Sequence, residues 1–369
     1  RVDSQPADSG ENAFSSLCSN GVDKVFALQQ LVNPGRVVAF TVSPFTRSSF
    51  HLMTGYQSVI AIAFNLRYNQ IYVPTHPSTT AGLYVINAAT MSFASHHAVP
   101  FLNPQTVTVN EFHIFVADQE TNSKIYRVDT SNLNNYIFLT YSGFDSLAGC
   151  TLSWYTDDAY CVFSSAPNSQ VSKVQWYNTF TEVGSKIALT GHTHVHRYLV
   201  EDYTNIFVLT ERTPATLFKI SKSSWSITDS VVVDNPASGT NVIGRALTID
   251  LYHGYLYAFV GDGAVTLHRI GLSDLRKVDE ITTSDTEVSM AIYFGTGNDY
   301  YVSTYNSPGE IIKWSRNAPS EGASPLIYDS HVSGSVNEIN GRQFTTDGHL
   351  HFFGITADRD PPVVAKYNV

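Results

Sequence analysis

Short apolar runs with alternating large and small residues recur along the whole chain, each closed by a cluster of Gly, Pro, Asn or Asp. The clearest is DYYVSTYNSPGEIIKW, from Asp299 to Trp314: an alternating strand, an Asn-Ser-Pro-Gly turn and a second apolar strand. The same phrase stands at the start of the chain as DKVFALQQLVNPGRVVAF, from Asp23 to Phe40. Aligned on the second strand, the copies are RVVAFTV from Arg36, GLYVINA from Gly82, SKIYRVD from Ser123 and SKVQWYN from Ser172. The set continues with TLFKISK from Thr216, TLHRIGL from Thr266, EIIKWSR from Glu310 and PVVAKYN from Pro362. The partner strand is equally regular, as in NQIYVPT from Asn69, FHIFVAD from Phe112, NIFVLTE from Asn205 and GYLYAFV from Gly254. One more short apolar run precedes each pair and another follows it. Each repeat therefore predicts four strands (a, b, c and d), and no stretch holds a 3.6-residue period for more than about two turns.

Repeats of roughly 40–50 residues, each one four-stranded unit, are the signature of propeller blades. The pattern predicts an all-β chain folded as a single β-propeller over residues 1–369. Eight c strands point to eight four-stranded blades, with seven and one merged repeat as the alternative count. The last copy stops directly after its c strand, so closing the ring requires residues 1–12, the N-terminal arm, to supply the outer strand. A basic residue recurs near the middle of the c strand, at Arg127, Lys173, Lys219, Arg269, Lys313 and Lys366. On a half-exposed strand it would shield the outer edge, or lay its stem beside aromatics with its charge in water.

The sequence Asp/Asn, Tyr/Phe-Val strand, Ser-Pro-Gly or Asn-Pro-Gly turn and then Val-Val or Ile-Ile-Lys resembles the YVTN/NHL-like propeller repeats of extracellular surface proteins of protists and bacteria. The likeness is specific in the first and seventh copies. Elsewhere the turn departs, to Glu120-Thr121-Asn122 and to Gly261-Asp262-Gly263. The resemblance implies a surface, adhesive or scaffold role and brings no catalytic residue with it.

Composition narrows the partners. Charged residues are 15% of the chain, with 22 Lys and Arg against 32 Asp and Glu for a net charge of −10, while Tyr and Phe number 21 each. Such a chain folds into half-buried strands and is a poor ligand for nucleic acid or an anionic membrane. No apolar run is long enough for a transmembrane helix. The beginning RVDSQPADSGENAF reads as a processed, secreted end, which places the expected location outside the cell or at its surface. Cys150 and Cys161 flank the turn at Tyr155–Asp158 and would face each other across a hairpin, as a disulfide or a buried thiol pair. Cys18 is left over.

The sharpest break in the repeat is Gly191-His-Thr-His-Val-His-Arg197. On a strand, His192, His194 and His196 would share one face about 6.5 to 7 Å apart, and imidazoles so placed can ligate Zn²⁺. Polar lining of a channel mouth and a pH-sensitive patch are the alternative readings. Neighbouring His96 and His97 would face opposite sides of their strand, and His349 and His351 share a face. Acidic pairs at predicted turns (Asp157-Asp158, Glu201-Asp202, Asp358 and Asp360) raise Ca²⁺, although turn chemistry explains them and no EF-type loop occurs. Trp154, Tyr155, Trp176 and Trp225 lie near loops and could meet a glycan or a protein partner, or pack between blades. No nucleophile elbow or phosphate loop is present. The function expected is an extracellular, non-enzymatic structural, adhesive or assembly module with protein partners or self-assembly. A lyase, lactonase or hydrolase with a His-lined metal site and a glycan-binding lectin are the alternatives.

Overall fold

The computed structural model describes the backbone of residues 3–6, 14–20, 22–29, 34–41, 46–56, 61–75, 81–144, 146–153, 155–164, 167–177, 179–210, 214–234, 244–251, 254–260, 266–282, 288–294, 299–304, 310–316, 326–333, 341–346, 351–356 and 363–368, with the side chains of most of those between 18 and 280. All regular structure there is β: 33 strands in eight antiparallel sheets. Seven sheets follow chain order. The first is Phe14–Ser19, Lys24–Gln29, Gly35–Thr41, Thr46–Met53. The second is Ala63–Asn65, Gln70–Thr75, Gly82–Asn87, Ser92–Ala98, and the third Pro104–Val109, His113–Asp118, Lys124–Asp129, Tyr136–Thr140. The fourth, Leu147–Leu152, Asp158–Phe163 and Ser169–Gln175, splits its outer edge into Thr181–Glu182 and Ile187–Leu189. Sheets five and six begin at Val195–Glu201 and Gly244–Asp250, and sheet seven runs from Val288–Phe294 to Leu326–Ser333. The eighth, Gly341–Thr346, His351–Thr356 and Val363–Asn368, takes Asp3–Pro6 as its fourth strand, with Asp3 opposite Lys366 and Pro6 opposite Val363.

The sheets fall into two compact units. One holds the first three sheets and the eighth, the other the fourth to the seventh. In both, the b strand is buried on its two faces: Gln70–Thr75, His113–Asp118, Asp158–Phe163 and Asn205–Thr210 are all buried after their first residue. Successive side chains point to opposite faces, so one strand feeds two cores. In the first unit Ile71 and Val73 pack with Phe26, Leu28 and Val37 of the first sheet, while Tyr72 packs with Ile114, Val116 and Tyr126 of the third. In the second, Ile206 and Val208 pack with Tyr160 and Val171, and Phe207 and Leu209 with Leu256 and Ala258. Each such residue contributes about 1.5–3 kcal/mol of burial. Outer strands are the reverse: Ser226–Asp234 is exposed over its first five residues.

The c–d hairpins share an unusual device. Met91, Phe180, Trp225 and Leu275 hold left-handed backbones, at φ of 52°, 48°, 47° and 52°, positions that normally call for Gly or Asn. Three of the side chains are 6%, 5% and 2% exposed, and Trp225 packs against the core between sheets four and five. Burying an apolar side chain offsets a strain of order 1–3 kcal/mol. Cys150 and Cys161 face each other between the first two strands of sheet four and form a disulfide, with Cα atoms 4.2 Å apart. Cys18 packs against the core of sheets one and two, and burial pushes its thiol pKa up. Leu275→Ala is therefore expected to cost more stability than Leu275→Gly, because alanine loses the burial and keeps the strain. Urea unfolding of both variants measures the order, and equal midpoints or a weaker glycine variant would refute the account.

Candidate functional site

The a–b turns repeat a polar cap. Asn20 Oδ1 accepts the backbone N–H groups of Val22, Asp23 and Lys24 at 3.1, 3.1 and 2.9 Å. Asn65 accepts from Tyr68 at 3.2 Å, and Asn110 from Phe112 and His113 at 2.9 and 2.8 Å. In the second unit Ser153 Oγ accepts from Tyr155 and Thr156 at 3.2 Å each, and Asp202 Oδ1 from Thr204 and Asn205 at 2.6 and 2.5 Å. Side-chain oxygens that bind the backbone two and three residues on fix a turn without a Gly. What the caps hold out is apolar: Val22, Leu66 and Phe112 are 67%, 73% and 47% exposed in the first unit, and Tyr155 and Tyr203 are 40% and 75% exposed in the second. The Asn/Ser/Asp spacing was open to inspection in the sequence. Only Tyr155 of these tips was picked out there.

In the first unit Arg67 lies over the rings of Tyr68 and Phe112, at 5.6 and 5.1 Å, and pairs with Glu111 at 2.6 Å. Both partners are half-exposed, so the pair contributes at most about 1 kcal/mol. The second unit is built more deeply. Tyr155 and Tyr203 meet edge to face at 5.7 Å, and Lys222 Nζ sits 4.8 Å from the Tyr155 ring. Lys222 pairs with Glu201 at 2.6 Å, with side chains only 8% and 4% exposed, and donates to the Asp202 carbonyl at 2.5 Å. Ser153 donates to the same Glu201 carboxylate at 2.8 Å, linking sheets four and five. Below, Tyr160 stacks on Trp225, and burial pushes its hydroxyl pKa up to about 12. Removing Glu201 alone leaves Lys222 as a buried unpaired charge, a loss of about 3–5 kcal/mol. Glu201→Ala should lower the urea midpoint accordingly, and Glu201→Leu with Lys222→Met should recover most of it. A double variant as weak as the single one would show that packing, not charge, is at stake.

The other aromatics of this region pack inward. Trp176 is 8% exposed, and its backbone N–H donates to the Asp157 carbonyl at 2.9 Å, tying the c–d turn of sheet four to its a–b turn. Trp225 donates through Nε1 to Ser185 O at 2.7 Å and lies under Lys173, 4.9 Å from its ring. Trp154 lies outside the described residues. The basic residues of the c strands differ among themselves. Lys219 reaches the carbonyls of Leu272 and Ser273 in sheet six at 3.1 and 2.7 Å. Arg269 departs from the expected outward charge: it is fully buried, paired with Asp279 at 2.9 Å and 5.0 Å from the Tyr255 ring. A carboxylate on the adjacent strand makes that burial tolerable. The side chains of Lys313, Lys366, His349 and His351, and Asp358 and Asp360 altogether, lie outside the described residues.

The histidine run does not sit on a strand as expected. The strand begins at Val195, so His192 and His194 occupy the loop before it, and the side chain of His196 lies outside the described residues. Two-residue alternation accordingly does not align His192 with His194. His192 packs edge-on against Phe218 at 5.3 Å, and its carbonyl accepts the Ser169 N–H at 2.5 Å. His194 Nδ1 lies 2.9 Å from Thr193 Oγ1. Among the described residues no three His, Cys, Asp or Glu side chains gather into a metal site. His96 and His97 do part: His96 packs on Tyr56 at 4.3 Å, and His97 bonds Asn134 at 2.9 Å. Burial lowers the pKa of His51, His192 and His268 below 6.5. The unfolded chain then binds more protons than the folded one between those lowered values and 6.5, so stability present above 6.5 is lost as pH falls. The urea midpoint should drop between pH 6.5 and 5, and His268→Gln should shrink that drop. A flat profile would contradict the burial assigned to these rings.

No family model matches the chain, and no curated protein matches it in sequence. Solved structures share its architecture. Saccharomyces cerevisiae Sqt1 aligns with a TM-score of 0.71 at 10% identity, over 99% of this chain and 98% of its own. The computationally designed Ika8 protein gives 0.65 at 11% identity over 99% of both chains. The beta-propeller domain of Myceliophteria thermophila Cps50 (Swd1) gives 0.57 at 13%, over 84% and 96%. The chain is a β-propeller. At such identities the likeness carries the fold and nothing of these proteins' partners, so function has to be argued from the surface of this propeller itself.

Proposed function

We propose that the protein is an extracellular, non-enzymatic β-propeller that acts as a structural, adhesive or assembly module. In this reading residues 1–369 form one propeller domain of the YVTN/NHL-like type, and the pairing of Asp3–Pro6 with Val363–Asn368 supports it. The observation that carries the interaction role is that capped a–b turns hold apolar side chains out in each unit, Leu66 73% exposed in the first and Tyr203 75% exposed in the second. A monomer gains nothing from exposing large apolar residues at successive equivalent turns, whereas a binding surface needs them fixed and solvent-facing. The Cys150–Cys161 disulfide supports an oxidising compartment.

Two measurements test this. Antibody labelling of intact cells should find the protein at the surface, and labelling confined to permeabilised cells would overturn the location. Sedimentation and surface-capture assays of the purified protein should show self-association or retention of a partner. Leu66→Asp and Tyr203→Asp should weaken that association about tenfold, equivalent to roughly 1.4 kcal/mol, with melting temperature unchanged. A strictly monomeric protein that captures no partner would sink the module reading.

A further inference from the structure

The a–b turn end of the second unit differs in chemistry from that of the first. Its first two turns, in sheets four and five, carry tyrosines at their tips, Tyr155 and Tyr203, and three carboxylates, Asp157, Asp158 and Asp202. The cation at their base, Lys222, is buried and paired with Glu201, so it offers no positive charge to a visitor. The corresponding turns of the first unit instead place Arg67 between Tyr68 and Phe112, in the open, beside Glu111. We infer that the Tyr155–Tyr203 surface docks an extended cationic segment of a protein partner, with lysine or arginine side chains laid on the tyrosine rings inside the acidic rim. This rests on the module reading above and names the partner's chemistry.

Four observations carry it. Tyr203 is 75% exposed and Tyr155 40%, so one ring presents a large open π surface and the other a partial one. A guanidinium or ammonium is attracted to such a face, and Lys222 already makes that contact with Tyr155 at 4.8 Å from below. The turns are preorganised: Ser153 and Asp202 bind their own backbones, and the Asp157 carbonyl is held by Trp176. Tyrosine has few rotatable bonds, so fixing it on binding costs little entropy. The charge is complementary, locally through the three aspartates and globally through a net charge of −10, which steers cations inward and repels phosphate-bearing partners.

The test is fluorescence anisotropy of the whole protein with three labelled Gly-Ser peptides: one carrying interspersed arginines, its glutamate counterpart and the uncharged parent. The arginine peptide should bind, more weakly as salt rises. Tyr203→Ala leaves the charge unchanged and should weaken binding about tenfold, a loss of roughly 1.4 kcal/mol. Tyr203→Phe should retain binding, and Asp157→Asn with Asp158→Asn should flatten the salt dependence. Equal binding of the uncharged or glutamate peptide, no binding of any, or arginine binding indifferent to Tyr203→Ala would overturn the inference. Melting curves matched to the parent exclude misfolding as the cause of a loss. If Tyr203→Asp abolishes partner capture while the arginine peptide fails to bind, the cationic partner is wrong and the module reading stands.

Discussion

A strand buried on both faces cannot be satisfied by its own sheet. The b strands Gln70–Thr75 and Asn205–Thr210 each send alternate side chains into two different cores, and both cores need a neighbouring sheet to exist. An isolated four-stranded sheet would leave one row in water, a loss of about 1.5–3 kcal/mol per large side chain. The repeat is therefore a requirement of packing: sheets must follow one another, and each must present the same two apolar rows. The closing strand Asp3–Pro6 answers the same constraint, because the last c strand would otherwise be an open edge.

That constraint leaves the turns free of core duty, and the two kinds of turn on the hairpin end have gone opposite ways. The c–d turns fold an apolar residue back inside, strongly enough to hold Met91, Phe180 and Leu275 in left-handed backbone. The a–b turns close on a side-chain cap and push their apolar residue outward. Polar contacts between sheets serve as staples: Lys219 on the carbonyls of sheet six, Trp225 on Ser185, Ser153 on Glu201. The Lys222–Glu201 pair lies within sheet five, and its Lys222 reaches across to the Tyr155 ring of sheet four.

Much of the candidate surface lay in plain view in the sequence without being recognised. Asn20, Asn65, Asn110, Ser153 and Asp202 occupy one place in the repeat, and each has a large apolar residue one or two positions on. Reading along a strand draws attention to what alternates, whereas a cap is legible only by comparing turns. Tyr155 stands out in the sequence beside Trp154, whereas Tyr203, more exposed, follows Glu201-Asp202, a pair that reads as turn chemistry. Trp176 and Trp225 stand at c–d turns, which fold their apolar residues inward, whereas Tyr155 stands at an a–b turn.

The sequence by itself determined the strands, their order within each repeat and the faces of the b strands, because period-two alternation and turn residues act over a few neighbours along the chain. It likewise determined that Cys150 could meet Cys161, since a single hairpin relates them. Tertiary structure alone decided which side chains are buried, paired or presented. Arg269 went into the core, His192 and His194 ended up ahead of their strand, and Glu201 found Ser153 from 48 residues away. Those outcomes depend on what the adjacent sheet supplies, and burial, unlike strand phase, is a property of two sheets at once.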